Sequence, residues 1–373
     1  MKIAIDCHTL EVKNWAGKAQ FLHSLLQESI KLDKENEYIL YFRSPVLKES
    51  LPLNWQIKNI KLPTPLWQVY VSMDLLLSKV DVLFCPSAYL LPAINFLIPS
   101  VIMVHDLTTF LSKIKGMHKR GIRLKEKLCL KLAISHARKI VAPSQSTKQD
   151  LIQHFRVSPE KIVVVPEAAR DIFCSVFDQK KVDVVLSKYH LSEQFILFVG
   201  TLEPRKNIVR LIEAYNLAIN NQSSTINNQP KLVVVGKKGW HYQGIFNKVK
   251  ELNIENRVVF LGYVPESDLP FLYQAAFCFV YPSLYEGFGL PPLEAMACGC
   301  PVITSNISSL PEVVGDAAIL VNPYKVNEIA VALKNILIDE DLRQDLRQKG
   351  LIQAQKFSWK KTSEQILKIL HQK

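Results

Sequence analysis

Short runs of apolar, largely β-branched residues alternate with longer stretches whose apolar positions recur every three to four residues, and this alternation fills most of the 373-residue chain. A brief apolar run bounded by turn formers reads as a buried strand, and a longer stretch with 3.6-residue periodicity as an amphipathic helix. On these rules strands are predicted at about 2–6, 37–42, 55–60, 81–85, 100–105, 139–142 and 161–165, with helices near 17–31, 66–79, 118–137 and 146–155. The pattern then starts again, with strands at about 195–200, 231–236, 257–261, 277–281, 301–304 and 318–321 and helices between them. Strand and helix in regular alternation build a doubly wound parallel sheet. The fold class expected is therefore α/β, with two Rossmann-like domains.

Between the halves, DIFCSVFDQKKVDVVLSKYHLSEQ holds no sustained period before about 182, so the hinge is expected near 170–192. The expected domains are 1–180 and 190–356, followed by an amphipathic helix over 357–373. Length and a hydrophobic content of 48% allow a sizeable core in each. Open parallel sheets bind ligands outside the carboxyl ends of their strands, so chemistry is sought there.

Composition narrows the setting. Seven cysteines without a CxxC pair fit neither a disulfide framework nor a thiolate zinc site, and the strand-like start MKIAIDCHTL leaves no room for a signal peptide. A cytoplasmic protein is expected. The apolar run LLPAINFLIPSVIMV, 90–104, is too short and too interrupted to span a bilayer, and its second half reads as a strand. NNQSSTINNQP, 220–230, reads as a polar surface loop.

The net charge of +12 is uneven: before residue 190 there are 27 Lys and Arg against 17 Asp and Glu, and after it 19 against 17. Much of the excess lies in LSKIKGMHKRGIRLKEKLCLKL, 111–132, where Glu126 is the one acid. That segment reads either as an anionic membrane surface contact, at the inner face, or as the solvated face of an ordinary helix. Nucleic acid is not expected, because no aromatic interleaving accompanies the basic residues.

Two strand ends carry candidate chemistry. FILFVGTLEPRKNIVRLIEAY, 195–215, is a strand, a glycine turn and a helix opening near Pro204, with Arg205 and Lys206 in its first turn. Cations there oppose the helix dipole unless an anion is bound, so they mark a phosphate site or else plain solvated surface. YPSLYEGFGLPPLEAMACGCPVI, 281–303, puts Glu286 and Glu294 eight positions apart, with glycines 287 and 289 baring the amides of Phe288, Gly289 and Leu290. The two acids read as hydroxyl acceptors flanking a phosphate, or as a loop residue and a helix surface residue.

GTLEPRKN, FLGYVPESDLPFLYQAA and SLYEGFGLPPLEAMACGCPVITSNISSLPEVVGDAAILVNP together resemble the retaining glycosyltransferases of family 4, whose GT-B fold sets two Rossmann-like domains facing across a cleft. The first half is similar through VHDLTTF, VAPSQSTKQDL and VVVPEAA. The resemblance implies that Arg205 and Lys206 bind the donor diphosphate, that Glu294 accepts the ribose hydroxyls, and that Glu286 holds the transferred sugar. It assigns phosphate and sugar contacts to the amides of Phe288, Gly289 and Leu290. The base-binding turn falls at Tyr263 and Val264, and the histidine near the donor sugar at His105, while Asp106 is expected to shape the local turn. NWAGKAQFLHSLL stands where the family has a glycine-rich loop, with Gly17 offering an amide.

The implied reaction is transfer of a hexosyl unit, by preference mannosyl, from a nucleotide diphosphate sugar to a glycan or lipid-linked glycan. It needs no metal or cofactor, DED at 339–341 being remote from any strand end. The alternatives are a sugar-nucleotide 2-epimerase of the same fold and a non-catalytic nucleotide-sugar or membrane-binding module. Replacing Glu286 or Lys206 by alanine is expected to cost orders of magnitude in transfer and leave folding largely unchanged. The helix over 357–373 is implied to cross back to the first domain.

Overall fold

Mostly buried strands form the centre of each unit, which is what near-continuous Val, Ile and Leu runs require of a parallel sheet. The structure is a computed structural model describing residues 1–11, 17–44, 51–87, 89–108, 110, 120–174, 177–192, 195–220 and 229–372. Most of the polar loop at 220–230, the residues Asn14 to Ala16 and the first nine residues of the basic segment lie outside the described residues. The chain divides into two units, 1–167 with 358–373, and 168–357.

In the first unit β1 (Lys2–Asp6), β2 (Glu37–Phe42), β3 (Trp55–Asn59), β4 (Val82–Cys85), β5 (Ser100–Met103), β6 (Ala137–Ala142) and β7 (Ile162–Val164) form one parallel sheet in the order β3-β2-β1-β4-β5-β6-β7. Its interior strand β1 pairs through Ile3 with Tyr38 on one side and Val82 on the other. Around it lie α1 (Lys18–Leu32), α2 (Thr64–Leu77), α3 (Leu90–Ile94), α4 (Arg120–His136) and α5 (Gln145–Phe155). Local chemistry sets the limits of α5: Ser144 Oγ accepts the Thr147 amide at 3.0 Å at its start, and Arg156 turns left-handed at its end.

The second unit repeats the plan. β8 (Ile196–Val199), β9 (Leu232–Val235), β10 (Val258–Gly262), β11 (Cys278–Tyr281), β12 (Val302–Ser305) and β13 (Ala318–Val321) run parallel in the order β10-β9-β8-β11-β12-β13. They are accompanied by α6 (Gln179–Lys188), α7 (Ile208–Asn220), α8 (Gln243–Glu251), α9 (Leu269–Ala275), α10 (Leu290–Ala297), α11 (Leu310–Val314), α12 (Val326–Ile338) and α13 (Glu340–Gln355). Asp339, first residue of the DED triplet, caps α13 by accepting the Leu342 amide at 2.8 Å.

The final helix, α14 (Trp359–His371), belongs to the first unit. Its apolar face, Trp359, Ile366, Leu367, Ile369 and Leu370, is buried, with Trp359 edge-on to Phe21 of α1 at 5.7 Å between ring centroids. Arg138 of β6 donates to the carbonyls of Ile369 and Leu370, satisfying acceptors that a helix end otherwise leaves open.

Each strand read from the hydrophobic pattern is present, its ends displaced by no more than two residues. Three features differ. Residues 90–94, inside the apolar run at 90–104, form the short helix α3. The stretch read as a connection contains α6, begun by Asp178 capping the Lys181 amide. Arg205 and Lys206 lie not in the first turn of a long helix but on a separate 3₁₀ turn, Pro204–Lys206, broken from α7 by Asn207 in the left-handed region at φ 60°. Among the described residues no helix is long and apolar enough to cross a membrane.

Candidate functional site

The order of the second sheet reverses between β8 and β11, and such a reversal leaves a crevice beyond two adjacent strand ends. The chain leaving β8 carries Arg205 and Lys206, and the chain leaving β11 carries Glu286. The two loops are laced together: Leu284 N donates to Arg205 O at 2.8 Å, and Asn207 Nδ2 donates to Pro282 O at 3.0 Å and Pro323 O at 2.7 Å. Asn207 thus both supplies the left-handed turn and bolts it to its neighbour, a pairing of tasks that few other side chains can perform.

Within that frame Glu286 is the hub. Arg205 Nη1 donates to its Oε2 at 2.7 Å, and Lys206 Nζ and Ser283 Oγ donate to its Oε1 at 2.7 and 2.6 Å. Tyr281 Oη lies 3.0 Å from the same oxygen and is itself contacted by Lys206, whose ammonium sits 4.8 Å from the centroid of that ring. Arg205 also reaches Glu203 Oε1 through Nε and Nη2, and Trp240 Nε1 donates to the other oxygen of Glu203 at 3.1 Å.

The electrostatics follow. Burial opposes ionisation of Glu286, but Arg205 and Lys206 outweigh it and lower its pKa to about 2, so the group is a carboxylate. Burial also lowers the pKa of Lys206, with Arg205 pushing the same way and Glu286 resisting. Two cations and two carboxylates make the cluster nearly neutral. The anion that offsets the two cations is therefore internal, which the reading of cations awaiting a bound anion did not foresee. Glu286 is 8% exposed and Lys206 7% exposed. Both belong to the interior, contrary to the expectation that alanine at either position leaves folding unchanged.

Beyond Glu286 the loop turns into α10. Ser308 and Ser309 donate to Glu286 O, and Ser309 Oγ lies 2.5 Å from Phe288 O, so the loop's carbonyls are tied inward. Among the described residues the amides of Phe288 and Gly289 meet no acceptor, and the first amides of a helix have none within it. Gly289 permits this turn: its φ is 123°, and a Cβ there would lie 2.9 Å from Leu310 Cδ2.

Glu294 sits on α10, one helical turn beyond Leu290. Burial raises its pKa to about 7, against the pull of Arg170. Arg170 is in turn paired with Glu266. At the end of β10, Tyr263 is half exposed, with Lys237 Nζ 4.4 Å from its ring centroid, while the side chain of Val264 is buried and leaves only backbone to a ligand. Leu290 opens the helix itself.

In the first unit, Gly17 is the exposed N-cap of α1 at φ 33°. His105 follows β5 and is buried, with Phe21 edge-on at 5.0 Å. Its Nε2 lies 2.8 Å from Pro86 O and its Nδ1 3.0 Å from Glu167 Oε1. A carbonyl oxygen only accepts, so Nε2 carries a proton, and both ring nitrogens are engaged within the protein. Asp106 accepts the Thr108 amide at 2.9 Å, the turn-shaping task expected of it.

Sequence reading missed Glu203, Tyr281, Ser283, Ser308 and Glu167. All five stand within the quoted motifs, Glu203 in GTLEPRKN, Tyr281 and Ser283 in YPSLYEGFG, Ser308 in TSNISSLPEVV and Glu167 in VVVPEAA. What was lacking for the first three was a reason to aim them at Glu286 rather than at solvent. Ser308 and Glu167 carry no local signal, because their partners are 22 and 62 residues away.

Comparison with known proteins gives the family and the fold. The profile described as "Glycosyl transferases group 1" matches residues 187–372, and that described as "Glycosyltransferase Family 4" matches residues 33–169. The O-antigen chain mannosyltransferase B of Escherichia coli is 37% identical over 279 residues, covering 73% of this chain and 71% of that protein. The serotype-specific mannosyltransferase WbdA of Escherichia coli is 33% identical over 276 residues, so the match spans 73% of this chain but only a third of that relative. Among solved structures, Anabaena HepE in complex with UDP and glucose superposes with a TM-score of 0.78 at 20% identity, covering 99% of each chain. The sucrose-phosphate synthase of Thermosynechococcus elongatus gives 0.78 at 19% identity, covering 99% and 98%.

Proposed function

Since the chain belongs to the glycosyl transferases group 1 and has the GT-B fold, we propose that it moves a mannosyl unit, with retention and without a metal, from a nucleotide diphosphate sugar onto a glycan of the O-antigen kind or its lipid-linked precursor. The observation that carries this reading is the meeting of Arg205, Lys206 and Glu286 at two adjacent strand ends, 2.7 Å apart in each pairing. The mannosyl preference and the glycan acceptor follow the mannosyltransferase relatives. HepE bound to UDP and glucose supports a nucleotide sugar as donor.

In this mechanism the donor diphosphate enters between the cations and the start of α10, taking hydrogen bonds from Arg205, Lys206 and the amides of Phe288 and Gly289. Preorganised donors aimed at developing negative charge stabilise the transition state without reorganisation. The acceptor hydroxyl attacks the anomeric carbon on the face the diphosphate leaves. The carbon–oxygen bond to phosphate breaks, its electron pair departs with the diphosphate, and the hydroxyl proton passes to a phosphate oxygen. Glu286, ionised far below neutral pH, has no proton to give and accepts hydrogen bonds from sugar hydroxyls instead. Its oxygens are held by two cations, which disfavours attack on carbon. Glu294 accepts the ribose hydroxyls, and Tyr263 and the backbone at Val264 meet the base.

The protein acts at the cytoplasmic side, and an anionic membrane surface approached through 111–132 is kept as a partner. The test is incubation with GDP- and UDP-linked hexoses, a lipid-linked glycan acceptor and a chelator, followed by NMR of the new anomeric centre. A retained anomeric configuration made only with acceptor present supports the reading. Donor isomerised without acceptor makes the chain an epimerase, and donor bound but unchanged makes it a binding module.

A further inference from the structure

Helix α2 is apolar on both of its faces. One stripe, Trp67, Val71 and Leu75, is fully buried in the first unit's core. The other, Leu66, Val69, Tyr70, Met73, Leu76 and Leu77, follows the spacing i, i+3, i+4, i+7, i+10, i+11 of a single helix face and is open to solvent, from 43% exposed at Leu76 to 81% at Leu77. No exposed charge interrupts it. The helix's one ionic side chain, Asp74, is turned inward to Lys58 Nζ at 2.6 Å and Tyr41 Oη at 2.7 Å. Burial of the first stripe explains why the helix is amphipathic in one direction; nothing in the fold of the unit needs the second.

Cations stand at both ends of this face, since the exposed Lys61 and Lys79 flank α2 in the chain. Helix α3 packs against both α2 and α4. Just past α3, Phe96 and Leu97 are exposed, and on α4 the exposed Leu128 and Leu132 alternate with exposed Lys125, Lys127 and Lys131. An apolar strip bordered by cations is the composition of a surface seated in the headgroup region of a bilayer, with apolar side chains reaching the acyl boundary and lysines meeting anionic phosphates. A second copy of the chain is a poorer fit, since joining the face to itself brings two sets of lysines together across a dehydrating interface. Contiguous exposed apolar surface on a monomer calls for an occupant.

We infer that the outer face of α2 is a bilayer docking surface, inserting Leu66, Val69, Tyr70, Met73, Leu76 and Leu77 into an anionic leaflet with Lys61 and Lys79 at its ends. The principal contact is therefore α2, which the charge pattern alone did not mark, rather than the basic segment 111–132 by itself. The inference does not depend on the transferase reading, because docking is measured without donor or acceptor.

The experiment is flotation of the full chain with vesicles of phosphatidylcholine alone or mixed with phosphatidylglycerol. The double variant M73E/L77E should lower partitioning onto the anionic vesicles by about tenfold or more, two large apolar side chains being lost and two like charges added. Turnover of a water-soluble acceptor should be unchanged. Equal flotation of variant and wild type overturns the inference, as does wild-type flotation that is no better with phosphatidylglycerol than without. A concentration-dependent dimer that the double variant abolishes assigns the face to a second copy and also overturns it. If M73E/L77E does not fold, the conservative Y70W decides: its emission should shift to the blue and be quenched by brominated lipid only when anionic vesicles are present, and an unchanged spectrum refutes docking.

Discussion

Arg205 and Glu286, 81 residues apart in sequence, are joined by a 2.7 Å hydrogen bond from Nη1 to Oε2, and Lys206 holds the other carboxylate oxygen at the same distance. One carboxylate thus aligns two cations. Removing it leaves the Lys206 ammonium buried beside Arg205 without its carboxylate.

Glu286→Ala is therefore expected to damage both stability and transfer. Breaking one side of a buried ion pair costs about 3–5 kcal/mol, so thermal unfolding should fall by many degrees. Glu286→Gln retains the shape and part of the hydrogen bonding and should be milder in stability, while transfer still drops by about two orders of magnitude or more. Denaturant unfolding beside a transfer assay checks this. An alanine variant of wild-type stability contradicts the buried network.

Gly289→Ala tests the start of α10. At φ 123° an L-residue is strained, and the added Cβ meets Leu310 Cδ2 at 2.9 Å. A loss of about 1–3 kcal/mol is expected, together with weaker binding of the donor diphosphate. Adding Leu310→Ala should relieve the contact but not the backbone strain, and isothermal titration of nucleotide diphosphate should show donor affinity recovering only in part.

Glu294 gives a pH dependence of definite sign. Burial, partly opposed by Arg170, raises its folded pKa from 4.5 to about 7. Between those values the folded state holds a proton that the unfolded state has lost, so this group's contribution to stability falls as pH rises through that window and is flat above it. Glu294→Gln should remove that slope when the two proteins are compared by denaturant midpoint. Donor affinity should move the opposite way in the wild type, strengthening toward pH 7 and above as the carboxylate forms and accepts ribose hydroxyls. A parallel pH course of donor affinity in Glu294→Gln counts against the assigned role.

Glu167 should act through His105. Nε2 is anchored on Pro86 O and Nδ1 on Glu167, so the carboxylate helps fix the orientation of the ring. Glu167→Gln, which keeps the shape, should lower kcat by about tenfold or less while KM for the donor changes little, and Glu167→Ala should cost more. Equal kcat in the alanine variant and the wild type contradicts the positioning role.

The hydrophobic pattern alone specified the thirteen strands of the described residues and the doubled α/β plan, because a parallel strand buried on both faces must be written as an unbroken apolar run. Arg205, Lys206 and Glu286 were also legible, since glycines, prolines and charges crowd only where a chain leaves a sheet. Three things were decided by tertiary structure. Strand order set β8 beside β11 and so turned two separate motifs into one ion cluster. Burial then made Glu286 a structural anion as well as a candidate ligand group, and raised the pKa of Glu294, changes of dielectric and neighbourhood that no single residue encodes. The outer face of α2 was equally hidden, for a helix apolar on two sides reads like any core helix until packing shows which side is left uncovered.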